Sequence, residues 1–270
     1  MPRYVYSRSL ADDLSKNFSS RESTCLGWAE IKGDQAVPIS NAPWLTPSEP
    51  CAAPRALSGL SLDAPTRPGT KLICAARNYK KHAKELNNAI PEEPLVFLKA
   101  SSSIIGPEEP ILLPEDQSSL VHHEGELALV ISKRARRIRA SEAHEYIFGY
   151  TLLNDVTARD LQRRDGCFTR AKSFDTFAPI GPWIDSDFCV SDQPLRVYVN
   201  DTLRQDGRLN EMLFDVPTLL SWVSQIMTLE PGDIIATGTP AGVGVLLPND
   251  TIRVEIEGLG VLSNPVRARG

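Results

Sequence analysis

His122-His123-Glu124-Gly125-Glu126-Leu127-Ala128-Leu129-Val130 begins polar and passes into an unbroken apolar run. The run is short, and residues 126–132 read as a buried strand. Similar runs lie around it. Residues 95–98, 146–155, 195–199, 233–237 and 251–256 are apolar or alternating, and Gly, Pro and Asn bound them. Asn200-Asp201 falls between two such runs and predicts a hairpin turn. Helical spacing is rarer. Val216, Leu219, Leu220, Val223, Ile226 and Met227 recur at i, i+3, i+4, i+7, i+10 and i+11; Asp215 can cap this helix, and Pro217 is tolerated in its first turn. A second helix is expected from 78 to about 87, stopped short of Pro91. Strands dominate and do not alternate regularly with helices. That argues against a Rossmann or TIM arrangement and for an α+β, mainly β core.

Residues 1–68 are richer in Ser, Pro and Ala, with one strand candidate at 25–31, and Pro65-Thr66-Arg67-Pro68-Gly69 reads as a boundary. The expectation is a small N-terminal domain over 1–68 and a catalytic domain over 69–270. A chain of 270 residues, 41% hydrophobic, can build such a core. Its net charge of -5 and scattered Lys and Arg argue against a nucleic-acid partner, and the basic stretch 133–139 reads as a solvated turn. Five cysteines, widely spaced and without C-x-x-C, argue against a disulfide framework and a zinc knuckle. No apolar segment follows Met1-Pro2-Arg3-Tyr4, and the apolar runs are far shorter than a membrane span. The expected location is cytoplasmic, with no membrane contact.

On a strand, residues two apart share a face, so Glu124 and Glu126 would converge while Gly125 leaves the opposite face bare. Two alternating Glu are by themselves compatible with a solvated strand face. Tyr150-Thr151-Leu152-Leu153-Asn154-Asp155 adds an apolar strand that ends in a third acid. Three carboxylates without Cys suit Mg²⁺ or Mn²⁺ rather than zinc. Mg²⁺ takes six oxygens, so three positions would remain for a 2-oxo acid and water. His122 and His123 could be ligands, hydrogen-bonding neighbours or packing residues.

Five stretches taken in order resemble the fumarylacetoacetate hydrolase family. They are Leu72-Ile73-Cys74-Ala75-Ala76-Arg77-Asn78-Tyr79-Lys80-Lys81-His82, with Ala76 where Gly is usual; His122 to Leu127; and Asn154-Asp155-Val156-Thr157-Ala158-Arg159-Asp160-Leu161-Gln162. Arg170-Ala171-Lys172-Ser173-Phe174-Asp175-Thr176-Phe177-Ala178-Pro179-Ile180-Gly181-Pro182-Trp183 and Thr237-Gly238-Thr239-Pro240-Ala241-Gly242-Val243-Gly244 complete the set. The double His is more like the acylpyruvase and oxaloacetate decarboxylase branch. Cys167-Phe168 stands where isomerase-like members have Gln-Trp. The resemblance implies a β-sandwich roll with a few peripheral helices, a homodimer, and Mg²⁺ or Mn²⁺ held by Glu124, Glu126 and Asp155.

With that resemblance, Lys172 is expected to place a positive charge at the substrate; its alternative is a surface ion pair with Asp175. His82 and Glu85, three apart on the expected helix, can meet as a general-base pair. Lys80, Lys81 and Lys84 suggest that this helix is an exposed lid that closes on substrate. Arg159, Gln162, Thr239 and Gly238 are candidates for holding substrate oxygens, with Asp160 or Asp165 as the structural alternative for Arg159. Arg77 and Tyr79 either touch substrate or anchor the lid. Trp183 and Trp222 read as core. The first functional reading is a metal-dependent hydrolase or lyase that cleaves acylpyruvates or decarboxylates oxaloacetate through an enolate. The second is isomerisation of 2-hydroxy-diene-dioates, and the third a non-catalytic scaffold that binds oxo acids.

Overall fold

Leu127, Leu129 and Ile131 face one side of their strand and Ala128 and Val130 the other, and all five are fully buried. That two-sided burial, seen in a computed structural model that describes residues 2–17, 27–45, 48–66 and 69–269, accounts for the unbroken apolar run. The chain order begins β1 (Arg3–Tyr6), α1 (Arg8–Asn17), β2 (Trp28–Lys32), β3 (Gln35–Pro38), β4 (Arg55–Ala56), β5 (Leu72–Ala76), α2 (Lys80–Glu85) and β6 (Leu95–Lys99). It continues through β7 (Ile104–Ile105), β8 (Ile111–Leu113), β9 (Val121–His122), β10 (Gly125–Ile131), β11 (Ile147–Asn154), β12 (Thr157–Ala158), α3 (Arg159–Asp165) and α4 (Thr169–Lys172). It ends with β13 (Ala178–Asp185), β14 (Pro194–Val199), β15 (Thr202–Arg208), α5 (Val216–Ile226), β16 (Ile234–Ala236), β17 (Thr251–Ile256) and β18 (Gly260–Ala268).

Among the described residues, a large sheet runs β4-β3-β2-β1-β13-β11-β10-β16-β5-β6, with β7 beside β13. A second sheet, β15-β14-β17-β18-β8, covers the middle of one face. Leu127, Leu129 and Leu152 meet Val197, Val254 and Leu262 there. Helix α5 and the turn Ala140–Tyr146 close the same core, through Leu220, Val223 and Ala143. This is the mainly β, α+β sandwich with few helices that the sequence implied. The opposite face of the sheet carries Leu72, Cys74, Ala128, Val130 and Ile234. Glu126 shares the parity of Ala128 and Val130, so it projects on this second face.

Gly125 points the other way, and its face is not bare. A Cβ there would sit 2.3 Å from Val197 Cγ2, so glycine is required for the second sheet to approach β10. Asn200 and Asp201 turn β14 into β15 with φ of 49° and 65°, the positive pair that a tight hairpin needs. Asp215 caps α5 by accepting from the Thr218 N–H at 2.9 Å. Helix α2 is shorter than expected. The Asn78 side chain is clamped to Thr237 O and Phe214 O, and Tyr79 stays extended in a bridge to Met212, so helical turns begin only at Lys80.

Strand β1 pairs with β13 and β2, so β1 to β4 lengthen the large sheet. Helix α1 had no counterpart in the sequence reading. Cys25 and Leu26, where the expected strand starts, and Arg67-Pro68 of the expected boundary lie outside the described residues. Cys51 is disulfide-bonded, which the argument from cysteine spacing did not anticipate; Cys74, Cys167 and Cys189 are free. In the basic stretch, Lys133, Arg134 and Arg139 are paired with Glu145, Glu230 and Glu142. No helix among the described residues is long and apolar enough to cross a membrane.

Candidate active site

Strands β10 and β11 are antiparallel with Gly125 opposite Asn154, so Glu124 and Asp155 leave the pair at the same end. The Asp155 N–H donates to Glu124 O at 2.8 Å, and the Glu124 N–H to Asn154 Oδ1 at 3.0 Å. Glu126 completes the group from within β10. One oxygen from each of the three carboxyls lies within 4.8 Å of the others, and all three residues are buried.

Three cations face these three acids. Lys172, at the end of α4, donates to Glu124 Oε2 at 2.7 Å and also to Asp155 Oδ2. Lys99, at the end of β6, donates to Asp155 Oδ1 at 2.5 Å and to Val156 O at 3.1 Å. Arg159, at the start of α3, pairs with Glu124 Oε1 and donates to Gln162 Oε1 at 2.8 Å. The alternatives Asp175 for Lys172 and Asp160 or Asp165 for Arg159 are not the partners found. Asp160 is held by Ser118, and Asp165 by Arg170 and Arg164.

Burial pushes the Glu124 carboxyl up, but Arg159, Lys172 and His82 outweigh it and hold it well below its ordinary range. Burial lowers Lys172, but Asp155 and Glu124 more than restore it, so its ammonium persists. Lys99 ends below its ordinary value because burial outweighs the pull of Asp155. Glu126 is pushed well up by burial, then by Asp155 and Glu124, against the weaker help of Lys172 and the Gly238 N–H. It accepts from the Gly238 N–H, and no cation pairs with it directly among the described residues.

Glu124, Glu126, Arg159 and Lys172 open into a cavity of about 290 Å³ that is also lined by Arg77, His82, Phe97, Gln162, Phe168 and Thr239. Helix α2 already lies against it, with His82 buried and Lys80, Lys81 and Lys84 on its outer side. His82 Nδ1 is 3.3 Å from Glu85 Oε2, and His82 Nε2 is 3.8 Å from Glu124 Oε1. Glu85 Oε1 accepts from the Gly242 N–H at 2.9 Å. Burial raises the Glu85 carboxyl, but His82 and the backbone donors at Gly242 and Val243 bring it below its usual value.

The expected substrate loop is placed in detail. Gly238 N–H is committed to Glu126 Oε2 at 2.8 Å, so it orients the carboxylate instead of meeting substrate. Thr239 lines the cavity and donates to Gly125 O at 2.7 Å. Tyr79 lines a second hollow beside Pro240 and Ala241, not this cavity, and its hydroxyl has no partner. Trp183 and Trp222 are only half-buried and do not line the cavity. His122 is pushed down to about 4 by burial and by Arg159, and its Nδ1 faces Arg159 Nε at 3.5 Å. His123, also pushed down to about 4 by burial, sits 3.0 Å from Gln205 Oε1. Both imidazoles are neutral near pH 7, and both support neighbours.

Sequence reasoning missed Lys99 and Gln205. A lysine that ends an apolar strand looks like a surface residue, yet here Leu98 is 47% exposed and Lys99 4%. Its phase with Phe97, which faces the cavity, was the available signal. Gln205 is fully buried and ties Gly125 N–H to the Thr239 hydroxyl and Pro240 O. Its strand alternates irregularly, so nothing local marked it.

The donor set fits a hard divalent cation: three buried carboxylates, no sulfur, and one acid, Glu126, raised by burial and then by its like-charged neighbours, a charge that such a cation would offset. The model described as fumarylacetoacetate (FAA) hydrolase C-terminal matches residues 71–267. An uncharacterized protein of Methanocaldococcus jannaschii is 52% identical over 73% of this chain and 83% of its own length. The oxaloacetate tautomerase YisK of Bacillus subtilis is 41% identical over 78% of this chain and 74% of its own. The crystal structure of 2-hydroxyhepta-2,4-diene-1,7-dioate isomerase from Mycobacterium marinum superposes with a TM-score of 0.83 at 41% identity, covering 90% of this chain and 94% of that one. The motifs, the sandwich and the acidic site thus have one common reading, and the chain belongs to the fumarylacetoacetate hydrolase family.

Proposed function

We propose that the protein moves a proton at the carbon beside the keto group of a small 2-oxo acid, with Mg²⁺ or Mn²⁺ held by Glu124, Glu126 and Asp155. The observation that carries this reading is His82, held by Glu85, which lines the same cavity as Glu124 and Glu126 of the buried carboxylate group. A divalent cation there would supply Lewis-acid charge to the substrate's carboxylate and keto oxygens.

The chain's own groups do the rest. With the Nδ1 proton given to Glu85, His82 Nε2 carries the free lone pair, and it faces Glu124 in the cavity. It is the atom that takes the proton from carbon and returns it. Lys172 keeps a fixed positive charge beside the forming oxyanion, between Glu124 and Asp155. Gln162 and Thr239 border the space where substrate oxygens would lie. The tautomerase and isomerase names of two relatives at 41% identity support proton transfer over C–C cleavage, which reverses the order drawn from the sequence.

Cleavage of acylpyruvates or oxaloacetate stands second. The cavity of about 290 Å³ has room for a small acid and waters, and His82 is placed to activate one. The test is a panel of 2-oxo acids, metal-free and with Mg²⁺ or Mn²⁺ restored. Deuterium exchange beside the keto group is followed by NMR, and pyruvate release by a coupled assay. Metal-dependent exchange without pyruvate is the expected result. His82→Gln should slow it by about 10²- to 10⁴-fold. Metal-independent turnover would rule the scheme out, and stoichiometric pyruvate would favour cleavage.

A further inference from the structure

Gln205 belongs to β15 in the second sheet, yet its buried side chain ends between two edges of the active site. Its orientation is fixed by partners that have one role each. The Gly125 N–H only donates, and it meets Oε1 at 3.1 Å. The Pro240 carbonyl only accepts, and it meets Nε2 at 2.7 Å. The second lone pair of Oε1 takes the Nδ1–H of His123 at 3.0 Å, and the second N–H goes to Thr239 Oγ1 at 2.7 Å. Every hydrogen-bonding capacity of this buried amide is filled, which offsets the cost of burying it.

The same assignment fixes Thr239. Its oxygen accepts from Gln205, so its single proton goes to Gly125 O at 2.7 Å. Gly125 is therefore gripped at both its N–H and its carbonyl, between Glu124 and Glu126. On the other side, the loop that follows Thr239 is seated on β15. A Cβ at Gly242 would overlap the Arg204 carbonyl, so glycine lets the loop lie directly on the strand beside Gln205. The Gly242 N–H donates to Glu85 Oε1 at 2.9 Å, and Glu85 Oε2 is 3.3 Å from His82 Nδ1. A continuous path of contacts thus runs from His82 through Glu85, the loop and Gln205 to the strand that carries Glu124 and Glu126.

We infer that Gln205 is a positioning residue: it ties the loop 239–242 to β10 and so fixes where His82 stands relative to the carboxylates. The consequence for His82 rests on the proposed reaction; the tie between loop and strand does not. Helix α2 follows β5, which is separated from β10 by β16, so the main sheet does not hold His82 against Glu124 directly. A misplacement of about 1 Å at a reacting group can cost about 10²-fold in rate. An apolar side chain of equal size would fill the same space and leave Gly125, Thr239 and Pro240 without their common partner.

Amide hydrogen exchange by NMR on the full chain without metal compares wild type with Gln205→Met. The Gly242 N–H is bonded to Glu85 and not to Gln205, so its response reports transmission through the loop. It is expected to exchange at least about tenfold faster in the variant, while Leu220 and Val223 in α5 change by less than about twofold. An unchanged Gly242, or equal acceleration of α5, overturns the inference, since the first denies the link and the second reduces it to general packing. With Mg²⁺ and a 2-oxo acid, the variant should lose at least about tenfold in kcat with KM within about threefold. A loss confined to KM would place Gln205 in substrate binding through Thr239 alone and overturn the link to His82. Where wild type shows no turnover, the proposed reaction falls, and Gly242 exchange still decides the tie. Should a melting curve show Gln205→Met unfolded, Thr239→Val, which removes only the hydroxyl, takes its place under the same expected and overturning results.

Discussion

Lys99 is a charged residue in full contact with the core: it ends β6, is 4% exposed, and gives its protons to Asp155 Oδ1 and Val156 O. A buried ammonium is tolerated where its hydrogen bonds are satisfied and an acid faces it, and Asp155 meets both needs. Removing it strands the acid. Lys99→Met is therefore expected to lower unfolding free energy in metal-free buffer by about 3–5 kcal/mol, the range for an orphaned buried charge. Urea unfolding measures this, and a change below about 1 kcal/mol would mean that Asp155 finds another partner. Gly125 shows the complementary constraint, for there the missing side chain makes room for Val197.

At the scale of elements, α3 delivers Arg159, Gln162 and Arg163 to the cavity, so its anchoring matters. Asp160 in its first turn accepts from the Ser118 hydroxyl and from the Ser119 and Leu161 N–H groups. Burial raises the Asp160 carboxyl, but these donors outweigh burial and hold it below its ordinary value of 3.8. A carboxyl lowered on folding stabilises fully above its unfolded value and loses that contribution as pH falls through its folded one. Wild type should therefore exceed Asp160→Asn in urea resistance at about pH 6, and the gap should close toward about pH 3. A gap independent of pH would assign the effect to packing.

For the whole molecule, three buried acids meet three buried cations where two strands end together. Burial and its acidic neighbours leave the Glu126 carboxyl raised. A cation that binds this folded site and not the unfolded chain stabilises by mass action, about 2.7 kcal/mol at a hundred times its dissociation constant. Mg²⁺ or Mn²⁺ is expected to raise the melting temperature, EDTA to reverse it, and Glu126→Gln to abolish the response. A melting temperature indifferent to either ion would remove the metal from the scheme.

Much of this was legible in the chain. Strand periodicity, the Asp215 cap, the Asn200-Asp201 turn and the order of the motifs are local, because side-chain alternation and backbone preference act over a few residues. The convergence of Glu124, Glu126 and Asp155 also followed from motif and strand phase. What only the tertiary structure decided is which charges meet. Lys99 reaches Asp155 across 56 residues and Gln205 reaches Gly125 across 80. The strand order β10-β16-β5-β6 and the packing of a second sheet bring them together, and neither leaves a trace in local periodicity. The physical reason is that a buried ion pair is specified by proximity and desolvation, which belong to the folded assembly of strands and to no single segment.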